Sequence, residues 1–387
     1  MILLLSCRPE PPEEKAKPLT LEQVPPDEVP DFRDDMNADS LRTAIAKSLA
    51  FYERIPKDRM FALGDKQISA RTLRSSLILF SKLLDTNHLD SATLAKYFDI
   101  YRPRDRGSKD RLLVTGYYEP ILEGRLEPNE SFCYPVYEIP PDLVTIELSD
   151  FDPGRYPGTR LVGRVVDKRV VPYFSRAEID GKRKLERLGC ELAWLKDPLD
   201  AFFLHVQGSG MIRLPGGESV RIGYAGTNGR PYSSIGKYLI DEGVMSSEEM
   251  SLQSLRAYLG SHSEILNQVL WQNESYVFFR WVEDGPMGSL NVALTAGRSI
   301  ATDPRCYPKG ALAFIESEKP RLNSDGQVTR WEPLSRWVLN QDTGGAIKGL
   351  GRVDLFCGSG EAAEWIAGRL KHPGRLFFLV KKENAGD

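Results

Sequence analysis

Residues 337–360 read WVLNQDTGGAIKGLGRVDLFCGSG. An apolar lead-in, Trp337, Val338 and Leu339, has the texture of a strand and runs into Asp342-Thr-Gly-Gly345. A second short strand signal at 353–356 contains Asp354 and stops at Gly358. Two acidic residues on short strands beside glycines can meet on a barrel rim, because glycine admits a ligand where a Cβ would block it. Apolar neighbours such as Val353, Leu355 and Phe356 desolvate a carboxyl group, which suits a general acid at neutral pH. The alternative is that both aspartates only cap turns, where Asp and Gly abound.

Outward from this stretch the chain changes texture three times. Residues 8–35 are rich in Pro, Glu, Lys and Asp and read as a flexible tether. Helical signals follow. Asp39-Ser40 can cap a helix carrying Leu41, Ala44, Ile45 and Leu49; Ser69 can cap a second with Leu73, Leu77, Phe80 and Leu84 on one face; a third carries Leu94 and Phe98. From Leu112 to about Gly223, short β-branched and aromatic runs are split by Gly, Pro and Asp, the pattern of an all-β unit. Residues 202–206 read as one such run, and 180–191 as a helical exception, with more helix at 198–202. Helices return at 235–242 and after Ser246, where Glu249 completes a capping-box pattern. From Ser289 the texture is β again, at 290–295, 311–315, 337–339 and 353–356. A helix at 361–370 then leads to a closing strand at 375–381. Helix, β, helix, β implies an inserted domain: tether 1–35, an outer unit from 36–111 and 235–387, and an inserted β domain at 112–234.

The chain is 387 residues long with a formal charge of -3, which gives no support for nucleic-acid binding. It has no run of roughly 18 apolar residues to span a membrane. Its start, MILLLSC, is similar to the tail of a bacterial lipoprotein signal, with Cys7 as the lipidated residue. The five cysteines show no Cys-x-x-Cys pair and no His at ligand spacing, so zinc is not expected; no metal and no cofactor enter the reading of the chain. Cys306 and Cys357 flank the aspartates and are candidates for a bridge, with buried free thiols as the alternative.

DTGGAIKG followed by RVDLFCGSG resembles the 3D domain, a family named for three aspartates, whose third member here is Asp303 in ATDPRCYPKG. GYYEP at 116–120, HVQGSG at 205–210, YAGTNG at 224–229 and SYVFFR at 275–280 stand in the order seen in the membrane-bound lytic murein transglycosylase A family. The resemblance spans about residues 40–382. It implies a mainly β, α+β fold. A double-psi β-barrel is made from both chain ends, a second β domain is inserted, and a groove lies between them. It implies a monomeric periplasmic enzyme, anchored to the outer membrane by its lipid. Its partner is peptidoglycan glycan strands, and it closes 1,6-anhydromuramyl ends.

By the same resemblance Asp354 is the catalytic acid and base, and the spacing between the DTGG and VD segments is about one residue longer than in some relatives. Asp342 orients it or binds sugar. Gln207, Gly208 and Ser209 read as sugar contacts, since a side-chain amide both donates and accepts and glycine permits close approach. Tyr117 and Tyr118 are candidates for stacking on pyranose rings, and Asn228 and Asp303 for turn or ligand roles. Glu119 is the alternative acid. Lys237 and Arg280 are weaker candidates, and His205 reads as core-facing on an apolar strand. Three other readings compete. Asp342-Thr-Gly344 resembles the tripeptide of pepsin-like proteases, which need a second copy that the chain lacks. A non-catalytic, expansin-like glycan-binding barrel and a hydrolytic glycosidase also remain.

Overall fold

The computed structural model describes residues 20–104, 112–156, 158–324 and 326–383. Cys7 lies outside them. Six strands close into a barrel: Leu112–Glu119, Ser299–Ala301, Leu312–Leu322, Val328–Asp342, Arg352–Ser359 and Lys371–Lys381. The ring closes because the last strand forks. Its residues 371–374 pair with Leu112–Glu119, its middle pairs with Leu312–Leu322, and its end pairs with Phe98–Arg104. The fork needs Gly374, where a Cβ would lie 2.6 Å from the Glu316 carbonyl oxygen. The expected strand at 375–381 therefore begins earlier, at Lys371. Strand Thr20–Gln23 extends the sheet beyond Phe98–Arg104.

Two N-terminal helices pack on the barrel, and a third, Glu361–Ala367, packs on it from the other end of the chain. Asn37, rather than Asp39 or Ser40, caps Ala38–Glu53. Ser69 caps Ala70–Asp85, as its spacing predicts. Leu73, Leu77 and Phe80 form the buried face of the second helix, with Phe80 4.6 Å from the Trp337 ring. Trp337 also meets Phe314 and Phe32, so the strand lead-in of the opening stretch becomes the aromatic centre of the core.

A second sheet of six strands runs Val277–Val282, Ser219–Thr227, Ser209–Arg213, Ile121–Arg125, Glu191–Leu195, Tyr134–Tyr137. Of the expected divisions, 112 and 234 miss the sheet boundaries, and the tether expected over 1–35 is overturned in its described part, where Thr20–Gln23 is a strand and Val24 and Phe32 are buried in the core. Leu112–Glu119 is a barrel stave because it pairs in parallel with Arg352–Ser359, and Val277–Val282 belongs to the second sheet because it pairs with Ser219–Thr227. Texture locates β structure but not the sheet that receives it.

Residues 202–206 also depart from expectation, since they lie in helix Pro198–Gln207. Asp197 caps the Leu199 N–H and Pro198 takes the first turn, where its missing N–H costs nothing. A short buried apolar run does not distinguish strand from helix. Residues 180–191 hold only the end of a π-turn, Ala177–Gly181, followed by turns and the start of a strand. Residues 290–295 form no strand, only an isolated bridge at Ala293. Ser246 does bond Glu249, but the next helix starts at Leu252 with Ser251 as its cap. Cys306 and Cys357 are free thiols, as are Cys133 and Cys190. Burial pushes the Cys357 thiol up to about 12.

Candidate active site

Asp342, Ala301, Asp354 and Thr115 form one row across four neighbouring strands. Ala301 pairs with Asp342 on one side and Asp354 on the other, and Asp354 pairs with Thr115. At about 4.8 Å between strands, the two aspartate Cα atoms stand roughly 10 Å apart. Tyr117 follows Thr115 by two residues, so it shares that face. Its hydroxyl donates to Asp342 Oδ2 at 3.0 Å. Its ring lies 5.3 Å from Phe356, two residues beyond Asp354.

The two carboxyl groups have different surroundings. Asp342 takes the Ser289 N–H and the Thr343 N–H, both at 2.9 Å, on Oδ1. Burial nevertheless outweighs these donors and pushes it up to about 6. Asp354, 9% exposed, accepts only from side chains among the described residues. The Thr115 hydroxyl and Arg352 Nε (2.8 Å) reach Oδ1, and Arg352 Nη2 reaches Oδ2 at 3.1 Å. Arg352 precedes Asp354 by two residues on the same strand and hence the same face.

Gln207 ends its helix against the barrel, where its Oε1 accepts from the Tyr118 N–H at 3.1 Å. Gly208 closes the helix at φ +78°, with open space beside it. Ser209 is buried at the start of the next strand. Tyr232 comes to the same rim from the loop before helix Ile235–Asp241. Its Cβ lies 4.0 Å from where a Gly345 Cβ would point, and its hydroxyl senses the charges of Arg352 and Asp354.

Several expected site residues are placed elsewhere. Tyr118 points to the opposite face from Tyr117 and packs on Ala363 and Ala367, so it has no ring to offer a sugar. Asn228 is fully buried. Its Nδ2 donates to the Phe174 and Glu274 carbonyls and its Oδ1 accepts from Arg230 and Tyr276 N–H, which leaves nothing for a ligand. Asp303 is 2% exposed, with both oxygens engaged by Arg305 and by the N–H groups of Arg305 and Gly349. Burial raises its pKa, but these donors outweigh it and hold it at about 2. Asp303 thereby pins the 343–351 loop that joins the two site strands.

Glu119 is fully buried in a pair with Arg221 across the two sheets, and Ser359 also bonds it. His205 is core-facing as expected, though on a helix. Arg176 lies 3.0 Å from its Nδ1, and burial and that cation keep it well below its ordinary pKa. Lys237 pairs with Asp241, and Arg280 with Asn291. Four site residues escaped the sequence reading: Thr115, Arg352, Tyr232 and Ser289. For Thr115 and Arg352 a signal existed, since each stands two residues from a chosen residue on a strand.

The MltA specific insert domain matches residues 113–280, and the 3D domain matches residues 298–380. The membrane-bound lytic murein transglycosylase A of Vibrio cholerae is 33% identical over 294 residues, 75% of this chain and 71% of that protein. The crystal structure of a membrane-bound lytic murein transglycosylase from Agrobacterium tumefaciens superposes with a TM-score of 0.77 at 30% identity, covering 94% of this chain and 98% of that one. The Escherichia coli MltA structure with bound chitohexaose superposes at 0.67 with 26% identity, covering 94% and 95%. By sequence, domain content and fold, this chain belongs to the membrane-bound lytic murein transglycosylase A family.

Proposed function

We infer that the chain is a lytic transglycosylase of peptidoglycan, cutting the β-1,4 bond between N-acetylmuramic acid and N-acetylglucosamine with Asp354 as its one acid and base. The observation that carries this reading is a largely buried carboxyl held by Thr115 and Arg352, facing the rim that Gln207 and Tyr232 approach from the inserted part. Asp354 gives its proton to the glycosidic oxygen as the C1–O bond breaks. The muramyl 6-hydroxyl oxygen then bonds C1, and its proton returns to Asp354, closing the 1,6-anhydro ring. An internal nucleophile reaches effective concentrations of roughly 10⁵–10⁸ M when well oriented, so no second carboxylate need activate water. Asp342 and Tyr117 act as a hydrogen-bonded pair that orients the sugar. Gln207, with Gly208 and Ser209, receives the acetamido and hydroxyl groups of the neighbouring residue.

The relatives are named membrane-bound, and among the described residues no helix is long and apolar enough to cross a membrane. Attachment through a lipid on Cys7, in the periplasm, reconciles the two, with the folded part working as a monomer. Mass spectrometry of products from purified sacculi tests the function. Anhydromuramyl ends, absent with Asp354→Asn, support it. Free reducing ends indicate a hydrolase, and intact glycan indicates a binding protein.

A further inference from the structure

Behind the strand that carries Asp354 lies a cavity of about 480 Å³ that the glycan chemistry does not use. Side chains alternate along a strand, so Leu355 and Cys357 face away from Asp354 and Phe356 and form its floor. Leu334 and Leu370 continue that apolar surface, and helix Glu361–Ala367 adds Trp365 and Ile366. The hairpin of Leu312–Leu322 and Val328–Asp342 forms another wall and brings Lys319, Arg321 and Arg336. Small-molecule sites have volumes of roughly 300–1,000 Å³, so the cavity is large enough for one.

Arg336 is the unusual member of this lining. It is 6% exposed, yet among the described residues its one hydrogen bond runs from Nη2 to Asp35 Oδ2, at 2.7 Å. Its Nε is buried without a partner, and Nη1, beside Gly297, makes no bond either. Two other buried arginines show the contrast. Arg298 donates from all three nitrogens, to Ser40, Asp34, Asn37 and the Trp337 carbonyl. Arg176 likewise engages all three, on Asn273, Asp180, His205 and Ser275. A buried donor without an acceptor costs stability, so an arginine left this open on the wall of a cavity calls for a ligand oxygen. The local charges agree. Asp35 serves both Arg336 and Lys319, and Glu332 serves both Arg321 and Arg330, so two carboxylates are shared among four cations. The charge of Arg336 also reaches the Cys357 thiol, which sets it beside the apolar floor.

We propose that this cavity is a second ligand site, separate from the glycan groove, that takes a single-chain amphipathic carboxylate of the fatty-acid kind. The carboxylate meets the spare donors of Arg336, with Lys319 and Arg321 adding charge, in a charge-assisted contact. The chain lies along Leu334, Leu355, Leu370 and the Trp365 ring, where each methylene taken out of water adds affinity. The occupant touches neither Asp354 nor the groove, so the site stands or falls apart from the transglycosylase reading.

The test is titration of the full chain with octanoate, read by calorimetry and by the melting temperature, which rises when a ligand binds only the folded state. Octanamide has the same shape without the charge and should bind about tenfold more weakly or worse, the scale of one charge-assisted hydrogen bond. Acetate, which has the charge without the chain, should not bind. Arg336→Met should weaken octanoate by the same factor. Ala362→Trp, at an exposed position on the helix that lines the cavity, should block the chain while leaving the ion pairs alone. It carries the test if melting curves show that Arg336→Met is not folded. Asp354→Asn should bind octanoate like wild type, and chitohexaose should not displace it. The site is overturned by octanamide binding as tightly as octanoate, by displacement with chitohexaose, by unchanged affinity in a folded Ala362→Trp, or by no octanoate binding at millimolar concentration.

Discussion

Asp303 and Asp354 belong to the same barrel, and each has an arginine two residues away, Arg305 and Arg352. The surroundings separate them. Asp303 is tied by two backbone N–H groups as well as its arginine, and one of those comes from Gly349, 46 residues away in sequence. Asp354 is tied by side chains alone. A backbone donor cannot swing aside without moving the chain, whereas a side-chain donor can exchange partners by rotating. The same acid–arginine pattern is therefore architecture at Asp303, which pins the 343–351 loop through Gly349, and chemistry at Asp354, on the strand that follows it.

The largest expected effect is at Asp354. Asp354→Asn keeps the shape and the Thr115 contact but has no proton to cycle. The release of anhydromuropeptides should fall by roughly 10²–10⁴-fold, the usual worth of a general acid, with a melting curve that still shows a folded protein. Near-normal release would break the contrast outright. Asn228→Ala should do the reverse. It abandons two buried carbonyls and two N–H groups, so urea unfolding should show a loss of about 3 kcal/mol while the folded fraction binds glycan normally. A weakened glycan affinity at full stability would return Asn228 to the binding residues.

Asp303→Asn should cost about 2 kcal/mol, since a charge-assisted set is lost while a polar group remains. The pH dependence sharpens this. A carboxyl held at about 2 rather than 3.8 stabilises the fold above the higher value, and that contribution disappears as pH falls through the lower one. Wild type should lose it in acid, and the variant should have none to lose. Asp342 runs the other way. Raised to about 6, it favours the fold when protonated, and that contribution is lost as pH rises through 6. Asp342→Asn should be no less stable than wild type at pH 8. Turnover should be about tenfold lower, and any acid limb near pH 6 that comes from Asp342 should vanish from the rate profile. A limb that survives the substitution would assign it elsewhere.

How far the residues alone could be read follows from the range of the interactions involved. Ser69 and the 73–77–80 stripe forecast their helix correctly because caps and periodicity are local. Asn228, between Thr227 and Gly229, looked like a turn with a ligand to spare. Its partners at Phe174 and Glu274 are about fifty residues away on either side, out of reach of any local pattern. Tyr117 and Tyr118 were indistinguishable as a pair until strand pleating sent one to the site and the other against a helix.

By itself the sequence determined the family, the β-rich character of both units and the stretch bearing the acid, because motif order, alternation and turn residues are written in nearest neighbours. Only the tertiary structure decided that 112–119 closes the barrel, that Ala301 stands between the two site aspartates, and that Arg352 rather than a backbone group holds Asp354. Those choices are made by strand pairing across 40 to 240 residues of intervening chain, where the partner's identity cannot be read from either strand alone.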